Sequence, residues 1–270
     1  MVYKKKKITI FGYTGFIGSN LLLNLKKSEV FLPKRNILKY KNNLGDIIYC
    51  IGSHEWRQKP YKAFYSDVSM IMKILNNNTY ESFNLISSTR IYKNNSSKEK
   101  NNITVNPSEE DDYYNCLKIL AENLVLMNKR NRVIRISNVF GNNYSSKIFL
   151  PSIIRDALNR KKIILKTNKY SEKDFIFVDE AARIIIKIAK FGKENIYNVA
   201  FGKNFKIGSV VKKLKKLTSC NIIYDNKSKI IKNSVIDITK IKKEFNFSPK
   251  IDVLRHMKTL INNFKRHNKK

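Results

Sequence analysis

Three glycines near the start of the chain are spaced as a phosphate-binding turn requires. Gly12, Gly15 and Gly18 lie between a short apolar run, residues 8–11, and a predicted helix, residues 16–25. Backbone N–H groups and the positive end of the helix dipole can hold a pyrophosphate at such a turn. Glycine allows a tight turn, a close approach to the phosphates and close packing of the helix on the sheet. The turn therefore favours dinucleotide binding, with an ordinary structural turn as the alternative.

The elements around this turn alternate between strand and helix. Apolar runs predict further strands at residues 30–32, 46–51, 83–86 and 132–136, and apolar residues at helical spacing predict helices at residues 65–75 and 112–127. Strands and helices that alternate over short links form a parallel sheet with helices on both faces. We therefore expect an α/β fold with a doubly wound parallel sheet.

Several segments resemble one family when they are taken in order along the chain. The GxxGxxG turn resembles the short-chain dehydrogenase/reductase superfamily, and the remaining segments resemble its extended branch, the NAD-dependent epimerase/dehydratase family. Those segments are YNCLK at 114–118 (YxxxK), SSTRIY at 87–92 (SSxxVYG), 118–122 (SKxxxE), RISNVFG at 135–141 (RxxNVYG), KDFIFVDE at 173–180 (RDFIHVDD), and Asn198 with Gly202 (NxGxG).

The resemblance implies a division of the chain into two parts. A Rossmann-type domain that binds NAD(P) would comprise residues 1–138 and about 163–200. A small C-terminal substrate lobe would comprise residues of about 139–162 and 201–270. The span between the second strand and Asp46 is short, so we expect the family's helix and strand to be reduced there.

The resemblance also implies that Tyr114, Lys118 and Ser88 are catalytic. Tyr114 and Lys118 lie four residues apart on a predicted helix and therefore face one way. Tyrosine, with a pKa of about 10, is a poor base at neutral pH, so the Lys118 ammonium and the nicotinamide ring would favour its phenolate. Tyr114 would then exchange a proton with a substrate hydroxyl during hydride transfer, and Ser88 would hold the substrate oxygen. A second YxxxK, at residues 3–7, precedes the first strand and cannot be the site.

The expected cofactor is NAD or NADP, held at the glycine-rich turn and beside the catalytic pair. An acidic residue after the second strand usually binds the adenosine ribose of NAD. Here the chain has Pro33, Lys34 and Arg35 instead, and Arg35 could receive a 2′-phosphate, so both cofactors stay open. The predicted cofactor-binding residues are Gly12, Thr14, Gly15, Phe16, Ile17, Gly18, Arg35, Tyr114 and Lys118.

Substrate contacts follow from the same resemblance. Asn138 and Ser88 are expected near the sugar, and Lys173 replaces an arginine that contacts the substrate diphosphate in relatives. Lysine keeps the charge there but loses the bidentate fork. Arg155 is a further candidate for the diphosphate. Trp56 either lines the cleft or packs in the core.

One departure from the family reduces the number of reactions that we expect. Dehydratases of the family carry Asp-Glu where this chain has Thr89 and Arg90, and without that acid and base dehydration is disfavoured. The sequence thus predicts an NAD(P)-dependent epimerase or 4-ketoreductase acting on a nucleotide-diphosphate sugar, in surface polysaccharide synthesis. The alternatives are a reductase of another small carbonyl compound and a non-catalytic dinucleotide- or RNA-binding protein on the same fold.

Composition limits the remaining classes. The net charge of +33 comes from lysines spread along the chain, which favours neither a nucleic-acid nor a membrane partner. Three distant cysteines and three scattered histidines (His54, His256 and His267) suggest no disulfide framework and no metal site. We expect a cytoplasmic enzyme, and the resemblance implies a homodimer formed through the helices at 65–75 and 112–127.

Overall fold

The computed structural model describes residues 7–53, 55–93, 95–224 and 228–268. Residues 3–6 of the second YxxxK and His54 lie outside these ranges. In chain order the strands are β1 (Ile8–Phe11), β2 (Val30–Phe31), β3 (Asp46–Tyr49), β4 (Ser82–Ser88), β5 (Arg132–Ile136), β6 (Asn138–Phe140), β7 (Lys162–Leu165), β8 (Glu172–Phe177), β9 (Ile196–Val199), β10 (Asn204–Lys206) and β11 (Asn221–Tyr224).

The helices include two π-helical turns, at Tyr65–Ser69 and Asp156–Arg160, each continuous with an α-helix. In chain order the α-helices are α1 (Phe16–Leu23), α2 (Pro60–Phe64), α3 (Met70–Asn77), α4 (Glu110–Leu126), α5 (Phe149–Arg155), α6 (Val178–Phe191), α7 (Ile207–Thr218), α8 (Thr239–Phe245) and α9 (Val253–His267). Among the described residues, none of these helices is long and apolar enough to span a membrane.

The main sheet is parallel throughout and has six strands in the order β2-β1-β3-β4-β5-β9. Neighbouring residues of a strand point to opposite faces, and both faces are covered, so the strands are apolar nearly without interruption. Ile48 packs on the side of α1 and α6, whereas Ile47 and Tyr49 pack on the side of α3 and α4. The predicted doubly wound parallel sheet is confirmed.

A separate apolar cluster lies beyond this sheet. It joins α5, β7, β8, α7 and α9, with Ile154, Val211 and Met257 among its fully buried members. Two small sheets belong to the same region, one with the order β10-β8-β6 and one with the order β11-β7. The residue boundaries of the two predicted domains stay a prediction.

One helix differs from the sequence prediction in its extent. The helix predicted at residues 65–75 begins five residues earlier, where Pro60 occupies its first turn, and it contains the π-turn Tyr65–Ser69. Proline suits this position because the first N–H groups of a helix have no partner within the helix. Between Phe31 and Asp46 the described chain has neither helix nor strand, as the short span predicted.

Candidate active site

The glycine-rich turn joins β1 to α1 in a conformation that requires glycine. Gly12 has φ +83°, which L-residues rarely adopt, and a Cβ at Gly18 would lie 2.3 Å from the carbonyl oxygen of Gly12. Side chains therefore have no room inside the turn. Its N–H groups can approach a bound anion closely.

The first turn of α1 contains no acidic residue of its own. Gly15 at its N-cap provides no side-chain hydrogen bond. By contrast, Asp252 caps α9 through Leu254 N and Arg255 N. The free N–H groups of α1 fit the pyrophosphate of a dinucleotide. Thr14, Phe16 and Ile17 lie in the same segment, with Thr14 exposed.

A cavity of about 920 Å³ opens where several parallel strands end. Ser88 is the last residue of β4, and Asn138 follows β5 closely, so both lie at the carboxyl edge of the sheet. Ligands of open α/β sheets bind at this edge. Tyr114 of α4 and Lys173 of β8 line the same cavity. The structure thus brings together four of the predicted site residues.

Ser88 and Asn138 are held by local hydrogen bonds. The hydroxyl of Ser88 accepts from the N–H of Arg90 at 3.2 Å, which orients the turn after β4. The Asn138 amide donates to the carbonyl of Asp174 at 2.9 Å. Each polar group is therefore placed by the backbone before any substrate arrives.

Lys118 follows Tyr114 by one turn of α4, and its Nζ lies 5.6 Å from the centre of the phenol ring. The side chain is only 7 % exposed, and Nζ donates to Oδ1 of Asp67 at 2.6 Å. Burial alone lowers the pKa of Lys118, but the nearby Tyr114 and the Asp67 carboxylate outweigh it and raise that pKa above its ordinary value. The ammonium form is therefore the stable one in this interior.

An aromatic and a cationic side chain also lie close to the Tyr114 ring. The rings of Trp56 and Tyr114 lie 6.1 Å apart, and the guanidinium carbon of Arg90 is 5.1 Å from the Tyr114 ring centre. Trp56 is almost fully buried and also lines the cavity, so both roles considered for it apply. Arg90 further pairs with Asp111 at 3.2 Å.

Lys173 is one of two basic residues of the cavity, with Lys166, that have no ion-pair partner among the described residues. The Lys173 Nζ lies 5.2 Å from the centre of the Phe149 ring. Burial, and then the charge of Arg90, lower its pKa below the ordinary lysine value. A buried cation without a counter-ion suits an anionic ligand.

Behind the cavity, a polar network joins α4 to β4 and β5. Arg135 donates to both carboxylate oxygens of Glu122, and the Ser87 hydroxyl donates to Glu122 at 2.5 Å. Arg135 also donates to the Tyr92 hydroxyl, which in turn donates to Asn198 at 2.8 Å. Five residues of the resembling segments, Ser87, Tyr92, Glu122, Arg135 and Asn198, thus connect these elements through hydrogen bonds.

Eight of the predicted site residues do not line this cavity: the six of the glycine-rich turn (Gly12, Thr14, Gly15, Phe16, Ile17 and Gly18), Lys118 and Arg35. Arg35 is exposed after β2 and is not among the residues that line the cavity. Arg155 donates to the Tyr144 carbonyl at 2.7 Å and does not line the cavity either. Among the described residues, no group of three or more His, Cys, Asp or Glu is placed to hold a metal ion.

Asp67 is the residue of this site that the sequence analysis missed. It lies four and seven residues before Ile71 and Ile74, which are both fully buried, so it belongs to the apolar face of its helix. An acidic residue in line with buried isoleucines must have a partner, because an unpaired buried charge is unstable. That spacing was the available signal.

Comparisons with known proteins identify the family and the fold of the chain. The model of the NAD dependent epimerase/dehydratase family matches residues 41–200, more than half of the chain, and this confirms the predicted family. The matched range contains Ser88, Tyr114, Lys118, Asn138 and Lys173. It leaves out the glycine-rich turn. The family is NAD dependent, in agreement with the predicted cofactor class.

Solved structures share the fold at low identity. RMD from Pseudomonas aeruginosa, complexed with NADPH, has a TM-score of 0.81 at 17% identity over 97% of this chain and 99% of that chain. UDP-N-acetylglucosamine 4-epimerase from Methanobrevibacter ruminantium M1, in complex with UDP-N-acetylmuramic acid, has a TM-score of 0.78 at 19% identity over 98% and 99%. UDP-glucose 4-epimerase from Thermotoga maritima, with UDP-glucose, has a TM-score of 0.76 at 17% identity over 97% and 99%. No curated protein matches the chain.

Proposed function

Since the chain belongs to the NAD dependent epimerase/dehydratase family, we propose that it is an NAD(P)-dependent epimerase or 4-ketoreductase of a nucleotide-diphosphate sugar. The observation that carries this proposal is the cavity at the carboxyl edge of the sheet, where Ser88 and Tyr114 share one space with the uncompensated cation Lys173. Solved structures of the same fold contain NADPH in one case and UDP-sugars in others.

Each side chain has a distinct task in this reaction. Bound at the glycine-rich turn, NAD(P) would supply the hydride acceptor or donor. The phenol of Tyr114 takes the proton of a substrate hydroxyl, or returns it to a carbonyl oxygen. Ser88 donates a hydrogen bond to that oxygen, and the Lys118 ammonium favours the anionic state of the phenol.

Charge in the cavity supports an anionic substrate. Lys173, Arg90 and Lys166 line it together with the acidic residues Glu109, Asp111 and Asp112. Arg90 has Asp111 as its partner, and Lys93 pairs with Glu109 and Asp112, so Lys173 and Lys166 are left to meet a diphosphate. Positive groups at a concave site raise the local concentration of an anionic ligand.

The cofactor and the substrate can be identified by ligand-induced stabilisation. A thermal-shift screen of NAD, NADP and UDP-, dTDP-, GDP- and CDP-sugars should show stabilisation by one cofactor and one nucleotide class. The reaction type is then read from cofactor consumption. A 4-ketoreductase oxidises one NAD(P)H per product, whereas an epimerase turns over with no net change in the cofactor.

Replacing Tyr114 by Phe tests the proposed mechanism directly. Loss of the general acid and base should lower kcat by about 10²–10⁴-fold and leave the thermal shift with the cofactor intact. Tyr113→Phe is the matched control, because the Tyr113 hydroxyl donates to the Pro60 carbonyl at 2.8 Å and does not line the cavity. A kcat in Tyr114→Phe close to that of the wild type would refute this function.

We also propose that the protein is a homodimer. The α3 and α4 helices pack side by side, and apolar side chains remain exposed along them: Met72 on α3, and Leu120 and Met127 seven residues apart at α4. Helical residues seven apart lie on one face. Light scattering coupled to size-exclusion chromatography should give twice the chain mass, and Leu120→Glu should reduce it to the chain mass.

A further inference from the structure

The helix that precedes β4 places a carboxylate against the lysine of the proposed catalytic pair. Asp67 is 2 % exposed and accepts from Lys118 Nζ at 2.6 Å. A Cβ added at Gly52 would lie 3.5 Å from both Asp67 Oδ1 and Lys118 Nζ, so the ion pair lies directly beneath the loop that follows β3. This loop also contributes Ser53 to the cavity.

The backbone around Asp67 is irregular. The segment Tyr65–Ser69 forms a π-turn between α2 and α3, and Ser66, Asp67 and Val68 are buried in succession. Single π-turns inside α-helices are uncommon and occur often at functional sites. The hydroxyl of Tyr49 donates to the Ser66 carbonyl, and this bond ties the π-turn to β3.

A structural role alone explains this pair poorly. A buried ion pair loses the hydration of both charges, and an apolar pair of similar volume often stabilises a fold equally well. An apolar pair would not, however, keep a cation one helical turn from Tyr114. The need for a protonated amine beside the phenol explains why this position holds an ion pair, which packing alone does not explain.

We propose that Asp67 is a positioning residue, which holds the Lys118 ammonium in place and keeps it protonated beside Tyr114. This assignment rests on the proposed function, because the kinetic test of the role of Asp67 measures the turnover of a nucleotide sugar. The electrostatic coupling of Asp67 to Lys118 can be observed without turnover.

Other charged groups near the pair are few. Glu122 lies one turn beyond Lys118 on α4, and its charge is shared with Arg135. Arg90 lies 5.1 Å from the Tyr114 ring centre and so acts on the phenol more directly than on the amine. Tyr49 and Tyr113 feel the charge of Asp67 and have pKa values raised by burial and then by neighbouring charge. Among the described groups, Asp67 is the carboxylate that contacts the ammonium.

The direction of the effect follows from these contacts. Burial lowers the pKa of Lys118, and the phenol and the carboxylate raise it above the ordinary 10.5. Without the carboxylate charge, burial weighs more and the amine loses its proton at lower pH. The alkaline limit of kcat should therefore move to lower pH in Asp67→Asn, by roughly one pH unit or more.

The experiment compares three variants with the wild type at saturating substrate and cofactor. Asp67→Asn removes the charge in an isosteric side chain, and Asp67→Glu retains the charge. Ser69→Ala is the matched control, since Ser69 lies in the same π-turn and, among the described hydrogen bonds, its hydroxyl makes none to Asp67. Ser66 is unsuitable, because its hydroxyl lies 3.5 Å from Oδ2 of Asp67. We expect the alkaline limit of kcat to fall in Asp67→Asn, to recover at least partly in Asp67→Glu and to stay in place in Ser69→Ala.

A second readout follows the amine without substrate or cofactor. Proton–nitrogen spectra tuned to side-chain ammonium groups favour amines that are protected from exchange, and Lys118→Met assigns the signal of Lys118. In the wild type this signal should persist above pH 10.5, and in Asp67→Asn it should vanish at lower pH. Equal titration of Lys118 in both proteins overturns the proposal. If no Asp67 variant folds, titration of the wild-type amine at or below 10.5 overturns it, and titration above that value supports it.

The two readouts separate this inference from the proposed function. A shifted ammonium titration in a protein that turns over no nucleotide sugar supports the Asp67 coupling and refutes the function. An unshifted titration in an enzyme that loses activity with Tyr114→Phe refutes the coupling and supports the function.

Discussion

Two buried ion pairs involve helix α4, one turn apart, and they differ in how completely each charge is matched. Between Arg135 and Glu122, 5 % and 4 % exposed, both carboxylate oxygens accept from the guanidinium, and Ser87 adds a further donor. The spare N–H groups of Arg135 reach the Tyr92 hydroxyl and the Glu99 carbonyl. Between Lys118 and Asp67, one hydrogen bond joins the charges, and an ammonium has three donors.

This difference separates cations that stabilise the fold from cations that remain available to a ligand or a reacting group. A pair whose donors are nearly all used offers nothing to a ligand, and it lies between α4, β4 and β5. The Lys118 ammonium has donors beyond its bond to Asp67, and it lies 5.6 Å from the ring centre of Tyr114, which lines the cavity. From Arg135 to Lys118 to Lys173 the cations are matched less and less by acidic groups, and Lys173 has no acidic partner among the described residues.

Neutral replacement of each whole pair should give the largest contrast. The double variant Lys118→Met/Asp67→Asn leaves no unpaired charge, so it should fold, yet its kcat should fall by about 10²–10⁴-fold because the phenol loses its cation. Steady-state kinetics and thermal melting measure the two effects.

The matched double variant is Arg135→Met/Glu122→Gln. It removes a better-connected ion pair from the same helix, and we expect it to retain most of the wild-type kcat. Equal loss of kcat in both double variants would erase the functional distinction between the two pairs.

Breaking the matched pair on one side should instead affect stability. Arg135→Met leaves Glu122 buried with no cation, which should cost about 3–5 kcal/mol of unfolding free energy and lower Tm by on the order of 10 °C. Urea unfolding and thermal melting measure this. The control Arg183→Met breaks an exposed pair with Asp179 and should cost less than about 1 kcal/mol. Similar losses of unfolding free energy in the two variants would mean that burial does not determine how much an ion pair contributes to stability.

The sequence predicts the sheet well because its signal is local. Strands such as residues 46–51 are apolar on both faces, and only a covered parallel sheet uses such runs. The glycine-rich turn and the placement of Tyr114 after it also follow from order along the chain. None of these inferences needs a distance between remote residues.

Contacts between residues that are distant in the chain cannot be predicted in the same way. Asp67 and Lys118 are 51 residues apart, and the π-turn that places Asp67 has no sequence signal of its own. The contact of Arg135 with Glu122 depends on how α4 lies across β5, which helical periodicity leaves open. The uncompensated charge of Lys173 becomes visible only when every possible acidic partner has been located.

Lys173 extends the comparison to substrate binding. Lys173→Ala should raise KM for the nucleotide sugar by roughly tenfold to a hundredfold, the value of one hydrogen bond to a charged group, with a smaller effect on kcat. Because burial and Arg90 lower the pKa of Lys173, the wild-type KM should also rise at alkaline pH before an ordinary lysine would lose its proton. Lys173→Arg retains its charge there, so its KM should stay flat. A pH-independent KM in the wild type would contradict this assignment.

The smallest effect is expected at the rim of the cavity, where Lys93 pairs with the buried Asp112 and the exposed Glu109. Lys93 has φ 50° and ψ −123°, a conformation that glycine adopts far more readily than other residues. Lys93→Gly and Lys93→Ala both lose the ion pairs, but only glycine relieves the backbone. The glycine variant should therefore be more stable than the alanine variant by about 1–3 kcal/mol, although alanine is usually the more stable of the two. Urea unfolding of the two variants measures the difference, and an alanine variant that is as stable as the glycine variant would show that the backbone conformation of Lys93 costs no stability.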